Sequence, residues 1–572
     1  MKNLLKYMKQ YRVEAVLGPL FKLTEALFEL FVPLVVADII DKGITNGDKP
    51  YIITRGLLMA ALGIIGFICA LIAQYFAAKA SVGYAANLRN ALYRKINSFS
   101  FTDIDTIGTS TLITRLTGDV NTVQTGVNLA LRLLLRSPFI VFGAMIMAFT
   151  VDVKSALIFA ASIPVLTVIV VSVMAVTVPL YKKIQQKLDT VTLNTRESLK
   201  GVRVIRAFRQ EDETVDTFNQ SNDQLNALQR TAGRVSALMN PLTYIVVNTA
   251  VIAIIWIGGH RVYDGSLTQG QIVALYNYMS QILVELIKLA NMIMTVNKAL
   301  ASGSRINTVL STENYQNLPT DNSYAPQDYA IEFKNVSFKY NGDAENALDN
   351  INFTASNGEH IGIIGATGSG KSTLVNLIPC LYGATDGLVA LNGRDVKTIG
   401  RDELCQKIGM VLQKSVLFKG TVRENLLLGG KTATDEELWE ALAAAQADEI
   451  VKNKGGLEAE IEQNGRNLSG GQRQRLCIAR ALVGNPKILI LDDSASALDF
   501  KTEADLRKAM SSLPQNPTVI TVSQRVSSVM NSDKIIVLDD GAAVGIGTHL
   551  ELLENCPVYA DICRSQLEEE EM

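Results

Sequence analysis

Residues 365–373 read Gly365-Ala366-Thr367-Gly368-Ser369-Gly370-Lys371-Ser372-Thr373. An apolar run ends at Ile364, just before this stretch, and a run of helical character, Leu374–Leu381, follows it. A Gly-rich loop between a strand and a helix that ends in Lys and Ser is the pattern of a phosphate-binding loop. Its glycines let backbone N–H groups surround phosphate oxygens, and the helix N-terminus adds partial positive charge. We therefore expect Lys371 to reach the phosphates and Ser372 to bind Mg²⁺, the alternative being a Gly-rich turn without a ligand.

The residues around this loop alternate between short strand-like runs and helical stretches. The strand-like runs are Ala330–Phe333, His360–Ile364, Gly409–Leu412, Ile488–Leu491, Thr518–Val522 and Lys534–Leu538. Helical stretches such as Asp435–Ala447 and Gly471–Val483 lie between them. This alternation predicts an α/β domain with a largely parallel core sheet, which we place at residues 329–572. Residues 311–328 are polar and rich in turn formers, which predicts a linker.

The first 310 residues carry the long apolar runs, which predict an all-α transmembrane domain. Each run is near the about 20 residues that a helix needs to cross a bilayer. The six runs are Val16–Ile40, Leu57–Ala80, Leu133–Phe149, Ala156–Leu180, Leu242–Ile257 and Ile272–Val296. The third and fifth runs are short, and we expect them to extend into the flanking polar turns.

Two links between these runs, Ser81–Arg132 and Tyr181–Asn240, are long, polar and helical in period. Both hold many Lys and Arg residues, and the positive-inside rule places them in the cytoplasm together with the basic N-terminus. An even number of spans then returns the chain to the cytoplasm, so we expect both termini there. We interpret the long links as membrane helices that continue into the cytosol, turn and come back.

Composition narrows the class of protein further. At 572 residues the chain is too long for one compact core, so at least two domains are expected. A formal net charge of -2 argues against a nucleic-acid binder that works by phosphate neutralisation. No pair among the six cysteines has CxxC spacing, which is typical of a chain in a reducing compartment without disulfides or structural zinc.

Two further stretches support a nucleotide site in the C-terminal domain. Ile488–Leu491 runs into Asp492 and Asp493, and a carboxylate at the end of such a strand can hold Mg²⁺. Between this strand and the phosphate-binding loop stands Leu468-Ser469-Gly470-Gly471-Gln472. This LSGGQ stretch resembles the signature of the ATP-binding cassette (ABC) family. With six spans ahead of the cassette, the resemblance covers nearly the whole chain and is to the half-transporter layout of ABC exporters.

The resemblance implies ATP as the ligand, with Mg²⁺, and a dimer as the working form. In ABC proteins the signature of one subunit caps the ATP held on the loop of the other, so residues 468–472 would serve a partner. The Ser469 hydroxyl, the glycine amides and the following helix N-terminus then form a second phosphate cradle. The implied partners are a second ABC half-transporter, membrane lipid, and a hydrophobic or amphipathic cargo.

The resemblance also implies roles for single residues. Tyr340 matches the aromatic residue that stacks on adenine, the alternative being a tyrosine packed at a strand end. Gln413 matches the glutamine that touches Mg²⁺ and faces the membrane domain, so the implied metal ligands are Ser372, Gln413 and Asp492. Two segments, Phe101–Thr109 and Glu197–Phe208, resemble the exporter segments that hold coupling helices. For both, ordinary amphipathic helix is the alternative.

Two positions depart from the family pattern. The residue after Asp492 is normally a glutamate, the general base for the attacking water, and here it is Asp493. Its side chain is one methylene shorter, and a displacement of about 1 Å in a catalytic group can cost about 100-fold in rate. The switch histidine after strand Thr518–Val522 is replaced by Gln524, which cannot carry a positive charge or relay a proton. The chain thus resembles the degenerate subunit of heterodimeric ABC exporters, which binds ATP and completes the catalytic site of its partner.

Charged residues inside the predicted spans are the clue to the cargo. Lys22, Glu25 and Glu29 share one helical face of the first span, and Glu285 and Lys288 lie in the sixth. Intramembrane charges are costly and normally face a cavity or a partner. They predict either a polar lining for cationic or amphipathic cargo or interhelical ion pairs that fix the packing.

Together these observations predict an ATP-driven exporter of hydrophobic or amphipathic compounds (drugs, lipids or peptides) in the cytoplasmic membrane of a bacterium. The alternative is a nucleotide-binding regulatory membrane subunit that gates or modulates a partner without pumping itself. Uphill, ATP-dependent efflux of a dye from vesicles distinguishes the two classes.

Overall fold

The computed structural model of the protein describes residues 2–312, 329–340 and 345–566. Most of the predicted linker at 311–328 therefore lies outside the described residues. The chain divides into two compact units. The first comprises Met1–Asn97 and Ser110–Thr312, and the second comprises Ser98–Thr109 and Glu313–Met572. A segment that lies between two predicted spans in sequence thus belongs to the second unit.

Helices build the chain as far as residue 311. They are α1 (Arg12–Asp38), α2 (Lys49–Asn97), α3 (Phe101–Ile107), α4 (Thr109–Thr114), α5 (Val120–Leu133), α6 (Arg136–Val151), α7 (Val153–Lys200), α8 (Val202–Ala207), α9 (Glu211–Ala237), α10 (Met239–Tyr263) and α11 (Gln269–Ser311). A 3₁₀ helix, Lys2–Tyr11, precedes them, and short π-helical segments occur at Ile39–Ile44 and Arg115–Asp119.

Five helical stretches in the described part of the chain are long and apolar enough to cross a membrane. They are Lys49–Asn97, Thr109–Val151, Val153–Lys200, Glu211–Tyr263 and Gln269–Ser311. These contain the second to sixth predicted runs, and the two short runs lie inside longer helical stretches, as expected. Most of the first predicted run lies in α1, whose 27 residues are enough to cross a bilayer core of about 30 Å. The last two residues of the run lie in the π-helical segment Ile39–Ile44. Three charged residues, Lys22, Glu25 and Glu29, interrupt the apolar sequence of α1.

The longest helices extend well beyond a bilayer. The 48 residues of α7, at about 1.5 Å each, give a length of about 72 Å, against about 30 Å of hydrocarbon. The polar C-terminal part of α7 packs against α9, where Ile184, Leu225 and Ala232 form a small buried cluster. The short helix α8 forms the turn between α7 and α9, inside the segment predicted to hold a coupling helix.

Two sheets form the centre of the second unit. The strands are β1 (Tyr329–Phe338), β2 (Leu348–Ser356), β3 (His360–Gly365), β4 (Asp386–Leu391), β5 (Arg394–Asp395), β6 (Ile408–Val411), β7 (Gly420–Thr421), β8 (Glu460–Ile461), β9 (Ile488–Asp492), β10 (Thr518–Val522), β11 (Lys534–Asp539) and β12 (Ala542–Gly547). The helices are α12 (Lys371–Leu377), α13 (Arg401–Lys407), α14 (Val422–Leu426), α15 (Asp435–Ala444), α16 (Asp448–Asn453), α17 (Gly470–Leu482), α18 (Phe500–Ser511), α19 (Val526–Val529), α20 (His549–Asn555) and α21 (Pro557–Gln566).

The larger sheet has six strands in the order β12-β11-β3-β10-β9-β6. All neighbours run parallel except β12, which pairs antiparallel at one edge. This confirms the predicted parallel core. Because the strands are parallel, the carboxyl ends of β3, β10 and β9 meet at the same edge of the sheet, where ligands bind in open α/β sheets.

The second sheet was missed by the sequence prediction, which contained only part of its first strand. It is antiparallel, with four strands in the order β2-β1-β4-β5. Its register shifts between Phe333 and Val336. Asn335 and Asn350 adopt left-handed backbone conformations there, each with φ of 48°. A bulge of this kind interrupts the alternation of apolar and polar residues by which a strand is detected in a sequence.

Helix α11 lies in the core of the first unit, where it packs against α1, α5, α6 and α10. The Tyr278 hydroxyl, fully buried, donates a hydrogen bond of 2.8 Å to the Leu30 carbonyl of α1. On the α5 side, a Cβ added to Gly126 would lie 2.2 Å from the Ala299 Cβ. Small residues therefore allow these two backbones to approach closely, as is common between membrane helices.

The intramembrane charges pair with one another through a residue that the prediction did not include, Arg136 of α6. Its guanidinium donates to Glu285 Oε1 and to Glu29 Oε2, each at 2.6 Å. Glu285 also accepts from the Lys288 ammonium at 2.8 Å, and Lys22 pairs with Glu25 at 2.5 Å. The network therefore contains three cations and three anions from α1, α6 and α11. This arrangement favours the packing role over a polar lining for cargo.

Removing Arg136 should destabilise the first unit strongly. We expect Arg136→Met to lower the free energy of unfolding by about 3 kcal/mol or more, because buried Glu285 would keep only Lys288 as a cationic partner and Glu29 would lose the guanidinium that it pairs with. The matched control is Arg55→Met, since Arg55 pairs with Asp38 at a more exposed site, where an ion pair contributes about 1 kcal/mol or less. Thermal unfolding of both variants in lipid nanodiscs gives the comparison. Equal shifts in Tm would contradict a stabilising role for the network.

Candidate functional site

The phosphate-binding loop leaves the end of β3 in a conformation that requires glycine. Gly365 has φ of 156°, and a Cβ there would lie 2.1 Å from the Leu538 carbonyl oxygen of the neighbouring strand. Gly370, with φ of 96°, sits at the N-cap of α12 in the left-handed region. Larger residues would clash or be strained at both positions, so the glycines shape the loop directly.

The Lys371 side chain is buried inside this loop. Its ammonium donates hydrogen bonds to the carbonyls of Gly365, at 2.9 Å, and Ala366, at 2.6 Å. Burial lowers the pKa of Lys371 from its ordinary value, while the charges of Asp493 and Asp492 act in the opposite direction. The loop therefore concentrates a cationic group and several backbone N–H groups at one point, which suits an anionic ligand.

Ser372 and Asp492 lie next to each other although 120 residues separate them in sequence. The Ser372 hydroxyl donates to Asp492 Oδ1 at 3.0 Å. Burial raises the pKa of Asp492, and the Ser372 hydrogen bond opposes that shift. A hydroxyl and a carboxylate fit Mg²⁺, which prefers oxygen ligands and binds through one or two carboxylates plus substrate phosphates. Within the described ranges no group of three or more His, Cys, Asp or Glu side chains is placed to hold a metal.

These groups line one cleft of about 290 Å³ at the carboxyl edge of the large sheet. The predicted residues that line it are Tyr340, Thr367, Gly368, Gly370, Lys371, Ser372, Thr373, Gln413, Asp492, Asp493 and Gln524. The Tyr340 hydroxyl lies 3.0 Å from the Thr373 hydroxyl, so Tyr340 is packed against the start of α12 as well as lining the cleft. The fold thus brings together residues from five separate segments of the chain.

The two departures from the family pattern both face this cleft. Asp493 follows β9 in the left-handed region, with φ of 46°, and its backbone N–H donates to the Val522 carbonyl at 3.0 Å. The Gln524 amide oxygen lies 3.5 Å from the Thr367 hydroxyl of the phosphate-binding loop. Both positions are therefore placed to influence a ligand on the loop.

The signature residues lie elsewhere. Ser469 caps α17 with a reciprocal pair of bonds: its hydroxyl accepts from the Gln472 N–H at 3.3 Å, and the Gln472 side chain accepts from the Ser469 N–H at 3.0 Å. A Cβ on Gly471 would lie 3.0 Å from the Ala497 carbonyl oxygen. Among the described residues that line the cleft, none comes from Leu468–Gln472. The signature therefore does not contribute to the cleft of its own chain.

Gln474 is a residue that the sequence reasoning missed. It is only 6% exposed, and its side-chain amide bridges α17 to the loop after β9. The amide nitrogen donates to the Ser496 hydroxyl at 3.2 Å, and the amide oxygen accepts from the Ala497 N–H at 3.1 Å. A polar residue on the buried face of a helix was the only signal in the sequence.

A second missed residue, Gln566, holds the loop that carries Gln524. Its amide oxygen accepts from the Val526 N–H at 3.0 Å, and its amide nitrogen donates to the Gln524 carbonyl at 2.8 Å. Gln566 is the last residue of α21, and nothing in the sequence relates it to the nucleotide cleft. Its two hydrogen bonds fix the backbone on both sides of Arg525.

Replacing Gln566 should loosen this loop. In Gln566→Ala we expect the Val526 amide to exchange with solvent about 5- to 30-fold faster, since a hydrogen bond and its geometry are lost. Hydrogen exchange with peptide-level mass spectrometry measures the effect. Gln515→Ala is a matched control, because Gln515 donates to Asn485 in an exposed pair and precedes β10, whereas this loop follows β10. Equal exchange at residues 523–527 in all three proteins would show that Gln566 has no positioning role.

Both halves of the chain match models of known protein families. Residues 16–286 match the family model described as ABC transporter transmembrane region, and residues 348–496 match the model described as ABC transporter. An "Uncharacterized ABC transporter ATP-binding protein" of Mycobacterium tuberculosis (strain CDC 1551 / Oshkosh) is 36% identical over 567 residues, which cover 98% of this chain and 97% of that protein.

Two further similar proteins have names that state what kind of transporter they are. An "ATP-dependent lipid A-core flippase" of Desulfotalea psychrophila is 31% identical over 526 residues, 91% of each chain. A solved structure, "Structure of a bacterial Atm1-family ABC exporter with ATP bound", superposes with a TM-score of 0.82, covering 98% of this chain and 99% of that one at 22% identity. At that identity the second similarity establishes the fold alone.

Proposed function

The chain belongs to the ABC transporter family, and we propose that it is the degenerate half of a heterodimeric exporter. Its transmembrane region and ATP-binding domain are fused in one chain, and relatives over nearly the whole length support ATPase-coupled export from a bacterial plasma membrane. The observation that carries the finer proposal is that Asp493 and Gln524 line the same cleft as Lys371.

In the proposed ATP site, the residues of the cleft bind three parts of the ligand: the phosphates, the adenine and the Mg²⁺ ion. Lys371 and the N–H groups of residues 365–373 bind the β- and γ-phosphates, and Tyr340 stacks on adenine. Mg²⁺, when bound, would offset phosphate charge, and Ser372, Asp492 and Gln413 would hold it. The hydrogen bond between Ser372 and Asp492 supports this assignment, because one ion between two oxygen ligands requires such closeness.

Hydrolysis of ATP also requires a general base and a proton carrier, and this site supplies both poorly. A general base must lie within hydrogen-bond reach of the attacking water, and Asp493 offers a carboxylate one methylene shorter than the family's glutamate. Gln524 can hydrogen-bond a γ-phosphate but cannot carry a proton as histidine does. ATP therefore binds here and is turned over slowly.

The signature serves the partner. Leu468, Ser469, Gly470, Gly471 and Gln472 keep the full family pattern and stand apart from the chain's own cleft. The hydroxyl, the glycine amides and the N-terminus of α17 supply donors for phosphate oxygens. In the heterodimer they close over ATP held by a second half-transporter that carries the glutamate and the histidine.

The cargo is proposed as a hydrophobic or amphipathic compound that enters from the lipid. The relative described as a lipid A-core flippase supports a lipid-like cargo. Drugs and peptides that are hydrophobic or amphipathic also fall within the proposed class of cargo. Both chain termini are placed in the cytoplasm, since the Lys- and Arg-rich ends of the long helices belong on that side.

Restoring the two family residues should restore turnover. We expect the full chain alone, in lipid vesicles, to hydrolyse ATP slowly, and Asp493→Glu combined with Gln524→His to raise kcat by about 10- to 100-fold. Adding Lys371→Ala to the double variant is the control and should abolish the gain. The proposal would be wrong if the unmodified chain alone turned over rapidly and lost that activity in Asp493→Asn.

The regulatory alternative makes a different prediction for the same double variant. If the chain is an exporter subunit, the variant should drive uphill efflux of a fluorescent amphipathic dye from vesicles when ATP is added. Restored ATPase activity without dye movement, for several dyes and a labelled lipid, would favour a subunit that gates a partner. The Lys371→Ala combination again provides the baseline.

A further inference from the structure

Helices α1 and α2 border an apolar groove on the surface of the first unit. The two helices run antiparallel, and their backbones approach closely at Gly18, where an added Cβ would lie 3.4 Å from the Ala77 backbone nitrogen. Beside this close contact the larger side chains leave a groove of about 670 Å³, within the range of about 300–1,000 Å³ that is usual for ligand clefts. Its lining consists of Leu17, Phe21, Leu71, Ile72, Tyr75 and Phe76.

Aromatic rings shape this groove and remain partly exposed in it. The Phe21 and Phe76 rings stack across the two helices with their centroids 6.3 Å apart, and the Tyr75 ring meets Phe76 edge-on at 5.6 Å. Tyr75 is 62% exposed and Leu71 is 54% exposed, and both lie on a helix that is apolar enough to cross a membrane. Because lipid chains are as apolar as these side chains, the groove is suited to an acyl chain.

An ion pair closes one end of the groove. Glu14 Oε1 lies 3.0 Å from the Lys79 ammonium. Glu14 shares a helical face with Leu17 and Phe21, at i, i+3 and i+7, and Lys79 follows Tyr75 by one turn, so the pair and the lining lie on the same faces of the two helices. The Lys79 side chain is 47% exposed, and its ammonium has three N–H donors. It can therefore bind a further acceptor beside Glu14.

The ion pair lies at the level of the lipid headgroups. Lys79 stands at the end of the apolar run Leu57–Ala80, and α1 begins at Arg12, directly after the basic segment Lys2–Tyr11. At about 1.5 Å per residue, the α1 side of the groove is about 8 to 14 Å further along the helix than Arg12. That depth is inside one half of a hydrocarbon core of about 30 Å, where the acyl chains of one leaflet lie.

We propose that this groove holds a phospholipid with an ethanolamine headgroup. One acyl chain lies along the aromatic lining, the phosphate accepts hydrogen bonds from the Lys79 ammonium, and the headgroup ammonium donates to the Glu14 carboxylate. The four charges then alternate in sign, and each hydrogen bond between them is charge-assisted. This lipid is a partner in addition to the cargo, and its assignment to the cytoplasmic leaflet rests on the placement of the termini proposed above.

The chemistry of the ion pair distinguishes ethanolamine from other common headgroups. A glycerol headgroup has no cation to meet Glu14, and its phosphate would lie beside a charge of the same sign. A choline headgroup carries three methyl groups on its nitrogen and has no N–H to donate to the carboxylate. Ethanolamine supplies both an acceptor for Lys79 and a donor for Glu14, so it is the headgroup that satisfies both members of the pair.

The test measures lipid contact directly, with the full chain in phosphatidylcholine vesicles and no nucleotide. Phospholipid probes that carry a diazirine on the acyl chain are added at equal mole fraction with ethanolamine, choline or glycerol headgroups. After illumination, mass spectrometry identifies the labelled peptides. We expect the ethanolamine probe to label residues 17–21 and 71–76 about 5- to 10-fold more than either other probe, because a charge-assisted hydrogen bond is made only with ethanolamine.

Variants of the ion pair and of the groove test the two parts of the lipid separately. Glu14→Gln should reduce the preference for ethanolamine to less than about 2-fold, and Lys79→Gln should lower labelling by the ethanolamine and glycerol probes about 3- to 10-fold. Leu71→Trp fills the groove at an exposed position without touching the ion pair. It should lower the labelling of residues 17–21 by all three probes.

Two controls match these variants. Lys42 pairs with Asp38 at 3.0 Å near the opposite end of α1, so Lys42→Gln removes an ion pair of the same length and should leave the labelling unchanged. Ile64 is 61% exposed on α2, outside the set of residues that line the groove. Ile64→Trp should therefore have no effect on the labelling of residues 17–21.

Several outcomes would overturn the proposal. Equal labelling by all three probes would show that the groove meets only unselected bulk lipid, and protection from every probe would show that protein covers it. Displacement of the ethanolamine probe by an excess of the amphipathic dyes used for efflux would make the groove a cargo site instead. ATP hydrolysis and dye efflux do not enter the measurement, so a failure of the proposed exporter function would leave its result unchanged.

Discussion

The site depends on one constraint, which is that three neighbouring parallel strands end at the same edge of a sheet. β3 delivers the Gly-rich loop, β9 delivers Asp492, and β10 leads into Gln524. No side chain could bring these segments together by itself, since each hydrogen bond between them contributes only about 1 kcal/mol. Sheet pairing supplies the closeness, and the bonds of Lys371 and Ser372 then refine it.

A different rule governs the first unit, where charge must be neutralised inside an apolar environment. Arg136 is 7% exposed and Glu285 is 2% exposed, so neither can rely on water. Each has opposite charges within hydrogen-bond distance, and the partners come from three different helices. Such a network specifies how α1, α6 and α11 pack, because sliding one helix would leave a buried charge unpaired.

Nucleotide binding and hydrolysis are separate properties of a phosphate-binding site. The loop and the metal ligands determine whether ATP binds, whereas the base and the proton carrier determine how fast it is hydrolysed. In the ATP site proposed for this chain, the set for the first property is complete and both residues for the second are changed to Asp493 and Gln524. An exporter that combines one such half with a competent half would bind two ATP molecules and hydrolyse one of them readily. The two halves would then differ in their rates of ATP hydrolysis as well as in sequence.

The sequence by itself determined the two-part organisation, the apolar helices, the parallel sheet and the phosphate-binding loop. Each of these is encoded within a few neighbouring residues, through the period of apolar positions or the turn chemistry of glycine. Only the tertiary structure decided that Arg136 pairs with Glu285, that Gln566 holds the loop of Gln524, and that Tyr382 contacts Asp105. The antiparallel sheet also emerged only there, because bulges break its alternation. Those pairs are 149, 42 and 277 residues apart, and contacts at such separations depend on how whole helices and strands pack, which no local pattern records.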